Sequence, residues 1–566
     1  MDRNTLLAIV LSLAVLTLWT MVSTPPKTSQ QEETRAPAAE TPGPASPPSS
    51  SSESTTPALP EPVVDVAPDG DPAGPPTPGV AESPEGEQIS IDTPLFRAEL
   101  DSVGAVLRRF ELKGYHLTPA PDSPSIVLTT GQPPFEDALA TPFRELEIGD
   151  LSRVQFAVER RDDRTVAFRL ERGGVRVSKI YEFDPESYAF GLRVTVENAS
   201  NQVIAPRYAV NWSAHAVPGS DFTEQALAAL HEGGLVLQPI ASFGQSGFFG
   251  GTPETQRVFQ RELDWAGVAT TYFVSAILPD DPVAASAQFV ATEPGRAGVI
   301  QLFFEPVSLP AGQSAERVFR VYVGPKQAER LEAVGGGLVR SIDLGWNWLA
   351  PLTLAFAWLL HALHDLIPNY GVAIIVLTIL VRVVTTPLTM KQMRSMERMR
   401  ALQPKLQELR EKFPDDRQKQ SEAMMQLYRR EGVNPLGGCL PMLLQLPVFV
   451  GLFYALRSSI DLRQAPFVSW INDLSAPDVL FEIPGIGIPL RVLPLVMGAT
   501  MVVQQRITPM QMDPAQAKMM MTVMPVMMTV MFYQFPSGLV LYWMVSNVLA
   551  IAHQLWIGRT VRTVGA

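Results

Sequence analysis

Residues 370–399 read YGVAIIVLTILVRVVTTPLTMKQMRSMERM. Eleven apolar or small residues, Gly371 to Val381, run without a charge before Arg382 interrupts them. More apolar residues follow, then a basic, Met-rich stretch. A guanidinium at the centre of a membrane helix costs about 2.5–3.5 kcal/mol on insertion scales, and arginine does not escape by losing its proton. Something must hydrate or pair Arg382. The apolar segments that follow carry no acidic residue in their interiors, with Asp365 and Asp513 at edges. Hydration is therefore the expectation rather than a buried ion pair. Snorkelling towards headgroups near Pro387 is the simpler alternative.

Working outward, the arginine span covers 369–389. Residues 390–434 are water-soluble: Thr389 to Asn434 holds 11 Lys/Arg against 7 Asp/Glu. Leu402, Leu406, Leu409 and Phe413 mark one apolar helical face. FPDD supplies a turn with an Asp N-cap, and a second helix ends at Gly432, giving a helical hairpin on the positive, cytoplasmic side. A span over 435–459 contains Pro435, Pro441, Pro447 and the amide of Gln445. A loop (460–489) leads to spans at 490–507, 517–535 and 539–558, with a short loop at 508–516 and a tail at 559–566. The 517–535 span carries seven methionines, Met524 and Met528 among them. Methionine suits surfaces that accept varied partners, although plain helix packing explains the same stripe.

Towards the N-terminus, residues 326–368 predict a short helix broken by three glycines. A Trp-bearing interfacial helix follows (Trp346, Trp348, Trp358). A full extra span over Leu349–Leu366 is the competing reading and would invert all later topology. Residues 88–325 alternate apolar with polar side chains in many short runs, such as TVAFRLER and AFGLRVTVEN, which indicates an antiparallel β-sandwich. Residues 23–87 are rich in Pro, Ser and Thr and bury too little apolar surface to fold. Residues 1–22 read as an uncleaved signal-anchor span with its N-terminus inside.

The net charge of −12 hides an asymmetry. Residues 23–341 hold 25 basic and 42 acidic side chains, a local −17, leaving the remainder near +5. That division suits two sides of a membrane rather than a nucleic-acid binder. The lone cysteine, Cys439, permits no intrachain disulfide and no metal cluster. His116, His215 and His231 lack ligand spacing, and Asp221 with Glu224 reads as a solvated loop. No nucleotide-binding, zinc-hydrolase or nucleophile-elbow motif is present, so neither an enzyme nor a cofactor is expected. Arg382, Gln445, Gln504, Gln505 and Asn547 are the polar residues of the spans. They suggest a hydrated, positively charged groove open to the cytoplasm and walled by apolar and Met-rich helices. Acidic tails of a nascent chain would be drawn to its charge, and hydrophobic segments to its wall.

VRVVTTPLTMKQMRSMERMRALQPKLQELREKF, MMQLYRREGVNPLGGCLPMLLQLPVFVGLFYAL and FPSGLVLYWMVSN closely resemble the YidC membrane-protein insertases of Gram-negative bacteria. The resemblance covers about Trp346 to Arg559. It implies six spans with a five-helix conserved core, an inserted periplasmic β-supersandwich and a cytoplasmic hairpin in the bacterial inner membrane, both termini cytoplasmic. It also implies insertion of membrane proteins alone or with the Sec translocon. Partners would be nascent membrane proteins, Sec components, the ribosome and membrane lipid, with no specific nucleic-acid sequence. By motif position, Arg382 and Thr378 fall in the family's groove. Cys439, Pro441, Leu446, Phe449, Tyr542 and Trp543 fall where spans meet substrate; many members have tyrosine where Trp543 stands. The hairpin, with Lys391, Arg394, Arg398, Lys405, Arg429 and Arg430, corresponds to the family's mobile element. A solute transporter and an envelope sugar-binding receptor are the competing functions. The absence of intramembrane carboxylates argues against the transporter.

Overall fold

The computed structural model describes residues 86–129, 138–143, 151–215, 225–246, 252–413, 416–432, 440–484, 487–507 and 514–564. The signal-anchor, the tether up to residue 85, Asp221, Glu224 and Cys439 lie outside them, as do the side chains of Pro441, Lys391, Arg394 and Arg398.

Among the described residues the alternating segments form seventeen strands, all paired antiparallel. Nine make one sheet: in spatial order β11 (Gly234–Pro239), β10 (Ala226–His231), β13 (Leu263–Ala269), β14 (Phe273–Pro279), β17 (Ser314–Pro325), β8 (Ala189–Asn198), β7 (Val175–Phe183), β6 (Thr165–Arg172) and β5 (Ala157–Arg160). Strand β8 shows why the period-two pattern folds this way. Phe190, Leu192, Val194 and Val196 are buried while their sequence neighbours are half-exposed, because successive side chains leave opposite faces of a strand. A sheet of β12 (Gln256–Phe259), β15 (Ala285–Glu293), β16 (Ala297–Phe304) and β9 (Ala209–His215) packs over the β10–β13 half. A sheet of β1 (Gln88–Asp92), β2 (Phe96–Asp101), β3 (Val106–His116) and β4 (Ser125–Val127) covers the β7–β8 half. There Phe96 and Phe110 stack at 4.5 Å and meet Phe183 and Phe190. Fully buried in this half is Lys179, whose Nζ donates to the Leu139 carbonyl at 2.7 Å and the Gly104 carbonyl at 3.3 Å. Burial pushes its ammonium pKa down to about 7.

Helix α1 (Ala328–Val334) stops at Gly335, Gly336 and Gly337, whose φ values of +81°, +59° and +66° favour glycine. This is the glycine-broken helix that the sequence predicts. The remaining helices are α2 (Ala350–Leu366), α3 (Tyr370–Ala401), α4 (Gln403–Lys412), α5 (Arg417–Arg430), α6 (Leu440–Ser458), α7 (Val492–Ile507), α8 (Pro514–Phe532) and α9 (Ser537–Val564). Among the described residues, Tyr370–Pro387 and Ser537–Leu555 are long and apolar enough to cross a membrane; Val492–Ile507 and Met521–Phe532 are shorter apolar helices. Helix α2 packs on α6 and α3, α3 on α9, α9 on α7, and α7 on α8. Leu360, Ile374, Leu377, Leu452, Met497, Phe532 and Val540 fill the centre. Outward lie Val383, Val384, Val503, Val526, Val530 and Val548, the residues a lipid-facing belt requires.

One segment gathers the helix starts. The Leu474 and Ala476 carbonyls accept the N–H groups of Gly538 and Ser537 at 2.9 and 2.8 Å. Buried Asp478 accepts the Leu493 N–H at 2.9 Å, and Asn369, at the start of α3, donates to the Phe467 carbonyl at 3.0 Å. The N–H groups of Ser537, Gly538 and Leu493 are donors that helix starts leave unpaired, and Asn369 adds a side-chain amide. The same segment meets the β domain: Gln464 donates to the His116 carbonyl at 2.7 Å, Arg463 to that of Leu117 at 3.3 Å, and Ile460 enters the β core. It ends in a hairpin, β18 (Phe481–Glu482) with β19 (Pro489–Leu490).

Candidate functional site

Helix α3 has 32 residues, a length of about 48 Å. It therefore outruns a hydrocarbon core of about 30 Å and carries Arg382 along its apolar section. The helix continues through Pro387, where threonine hydroxyls bond back to the chain. Thr385 donates to the Val381 carbonyl and Thr386 to that of Arg382, at 2.9 and 2.7 Å. Thr378, one turn before Arg382, is buried with its hydroxyl donating to the Ile374 carbonyl at 2.6 Å.

Arg382 is half-buried and is not left to water alone. Its Nε donates to Ser546 Oγ at 3.1 Å, and Nη2 donates to the same oxygen at 2.6 Å and to the Ser546 carbonyl at 2.9 Å. Helix α9 thus holds the charge by neutral acceptors, and none of the span interiors offers a carboxylate. Ser546 is the residue that sequence reasoning missed. Its only signal is the tract VSN, since a serine within a membrane helix satisfies itself by bonding to its own backbone as readily as to a neighbour. Tyr542, four residues earlier and therefore on the same face as Ser546, is buried. Asn547 donates to Thr500 at 3.4 Å, tying α9 to α7. Gln505 keeps Oε1 buried with no partner among the described residues.

Trp543 lies about 100° around the helix from Tyr542 and belongs to a different cluster. Its ring meets Phe449 of α6 edge-on at 4.7 Å and Phe532 of α8 at 4.9 Å. Phe453 and Phe535 extend this cluster at 6.3 Å. The structure thus groups Arg382 with Thr378, Ser546 and Tyr542, and Phe449 with Trp543. Gln445 is half-buried, and Leu446 is 52% exposed on the outer surface of α6. Met524 and Met528 are half-buried, with Met528 against the central cluster, while Val523, Val526 and Val530 form the exposed face of α8.

Beyond the belt, α4 and α5 form the expected hairpin. Asp416 caps α5 by accepting the Lys419 N–H at 3.0 Å, and Gly432 adopts φ +64° just past its end. Lys405 pairs with Glu431 at 2.6 Å, which holds that carboxyl below its usual range. Arg429 and Arg430 are exposed. No group of three His, Cys, Asp or Glu that could hold a metal occurs among the described residues.

A β domain joined to a helical bundle with an apolar outer belt and a serine-held arginine fits an integral membrane protein with a large domain outside the bilayer. Residues 88–359 match the YidC periplasmic domain and residues 362–563 match the 60Kd inner membrane protein family. The membrane protein insertase YidC of Pelobacter propionicus is 34% identical over 99% of this chain and 100% of its own. That of Syntrophus aciditrophicus is 32% identical over the same shares. An active YidC insertase crystal structure with the first transmembrane domain resolved aligns with 82% of this chain and 91% of its own, at 18% identity and a TM-score of 0.34. The chain belongs to the YidC family of membrane protein insertases. It is an inner-membrane protein with a periplasmic domain, it is not an enzyme, and its clients are nascent membrane proteins.

Proposed function

We propose that insertion proceeds through a groove between α3, α6, α8 and α9, open to the cytoplasm and to lipid, in which Arg382 is the attracting charge. The reading rests on one observation above the rest: a half-buried guanidinium held by a neutral serine, with no carboxylate in the span interiors to cancel it. Such a charge keeps its long-range attraction for an acidic tail, whereas a paired one would not. Leu446, Phe449, Tyr542, Trp543, Met524 and Met528 offer the apolar wall against which a hydrophobic segment leaves the groove sideways, with Cys439, Pro441, Thr378 and Gln445 along the path. The basic hairpin, from Lys391 to Arg430, receives the chain at the entrance. In this reading six spans put both termini in the cytoplasm, and the insertase works alone or beside Sec components, with ribosomes delivering clients.

In cells depleted of their own insertase, Arg382→Ala combined with deletion of residues 391–430 abolishes insertion of a small two-span client with an acidic extracytoplasmic tail, while Arg382→Lys retains it. Undiminished insertion by the Ala and deletion variant overturns the groove reading. Saturable solute flux that depends on an ion gradient would support the transporter instead.

A further inference from the structure

The β18–β19 hairpin carries an apolar face that the described fold leaves partly open, with Phe481 and Ile488 exposed and Ile483 and Leu490 half-buried. Phe481 pairs with Leu490 and Glu482 with Pro489, and the Ile483 N–H donates to the Ile488 carbonyl at 2.9 Å. Paired residues share a face and successive ones alternate. Phe481, Ile483, Ile488 and Leu490 therefore line one face, and Glu482 lies on the other. Phe481 is 50% and Ile488 is 49% exposed.

What lies against this face follows from the helix it feeds. Strand β19 runs into α7, which has 16 residues and spans about 24 Å, some 6 Å short of a typical hydrocarbon core. Two extended residues add about 7 Å. Leu495, Val496 and Val503 are exposed on α7, and the hairpin supplies the missing length at the start of that helix. It is fixed there: the Tyr533 hydroxyl donates to the Pro489 carbonyl, while Arg491 donates to the Tyr533 carbonyl and places its guanidinium 5.1 Å from the Tyr533 ring. An arginine drawn along an aromatic ring suits the headgroup boundary. An open hairpin edge is not tolerated in the hydrocarbon centre, which limits the depth to that same boundary.

We propose that the Phe481–Leu490 face lies in the periplasmic leaflet at the boundary of headgroups and acyl chains, and completes the short α7 span with phospholipid as its partner. The inference rests on the placement of residues 460–489 on the periplasmic side in the reading above, and the two can fail separately. The test places a photoreactive benzoylphenylalanine at Phe481, Ile488 or Glu482 of the full chain. Each variant is irradiated in liposomes of phosphatidylethanolamine and phosphatidylglycerol, and in cells. Positions 481 and 488 should yield phospholipid adducts at least tenfold more abundant than position 482. Equal yields at 481, 488 and 482, or adducts in cells mainly with client polypeptides, overturn the lipid assignment. Separately, Glu482→Cys in a Cys439→Ser background should react with an impermeant maleimide added outside intact spheroplasts. Reaction only after the membrane is opened overturns the periplasmic placement itself.

Discussion

Replacing Ser546 with alanine removes two of the three hydrogen bonds that hold Arg382 and leaves the one to the backbone carbonyl. Hydrogen bonds to charged groups contribute about 1.5–3 kcal/mol in soluble proteins. Interhelical polar contacts within membranes average about 0.6 kcal/mol, with a maximum near 1.7. Arg382 is half-buried, and water compensates part of the loss. A coupling of about 1 kcal/mol, roughly fivefold in equilibrium, is therefore expected between positions 382 and 546. The double-mutant cycle of Ser546→Ala, Arg382→Ala and the pair, read as unfolding free energy in mixed micelles, measures it. The cycle has a functional counterpart. Ser546→Ala leaves the charge in place, so client insertion falls by less than in Arg382→Ala. A coupling within about 0.3 kcal/mol of zero, together with equal loss of insertion in the two single variants, would refute the argument that serine positions and arginine attracts.

Other perturbations follow from the packing. A Cβ on Gly498 would meet Thr529 Oγ1 at 2.1 Å, so Gly498→Val should separate α7 from α8 and cost about 1–3 kcal/mol, seen as a lower midpoint in a detergent thermal melt. Trp543→Tyr preserves aromatic contact with Phe449 and Phe532 and should retain insertion, whereas Trp543→Ala loses about 3 kcal/mol or more of packing; equal melting of the two would contradict this. Lys179 and Lys326 are buried with ammonium pKa values pushed down to about 7 and about 8. Between those values and the unfolded value of 10.5, the unfolded chain holds protons that the fold does not. Stability of the β domain therefore rises with pH from about 7 towards 10. Above pH 10 it falls, because burial raises the Tyr181 and Tyr322 pKa values and only the unfolded phenols ionise readily. Lys179→Met should flatten the rise, as followed by thermal melts across that range.

The β domain was legible because period-two alternation is a direct consequence of strand geometry, and strands run from Gln88 to Pro325 where the pattern places them. The hairpin was equally plain, since Asp416 and Gly432 are local signals that need no tertiary information. Arg382 announced itself by cost alone. Its partner did not: Ser546 lies 164 positions away, and a neutral acceptor leaves no charge pattern to read. The division of Tyr542 and Trp543 between two clusters also escaped the sequence, which shows them as an adjacent pair. Their separation depends on the rotation of α9, set by neighbours on both sides. Nor does the string of residues 460–480 reveal that its carbonyls and the Asp478 carboxylate serve helix starts elsewhere, because backbone acceptors have no residue signature.

That last arrangement has a mechanical consequence. The beginnings of α3, α7 and α9 are tied to a single strip of chain, itself fastened to the β domain at His116 and Leu117. Their other ends have no comparable fastening among the described residues. A bundle tied at one end behaves as tongs behave: the joint stays closed while the tips part, and a small rotation at the joint becomes a wide displacement at the tips. Arg382 sits some twelve residues from the joint, about 18 Å along the helix, where a rotation of 10° moves it by about 3 Å. In the proposed groove reading, a rotation of that size accommodates a passing segment while the end nearest the β domain stays closed.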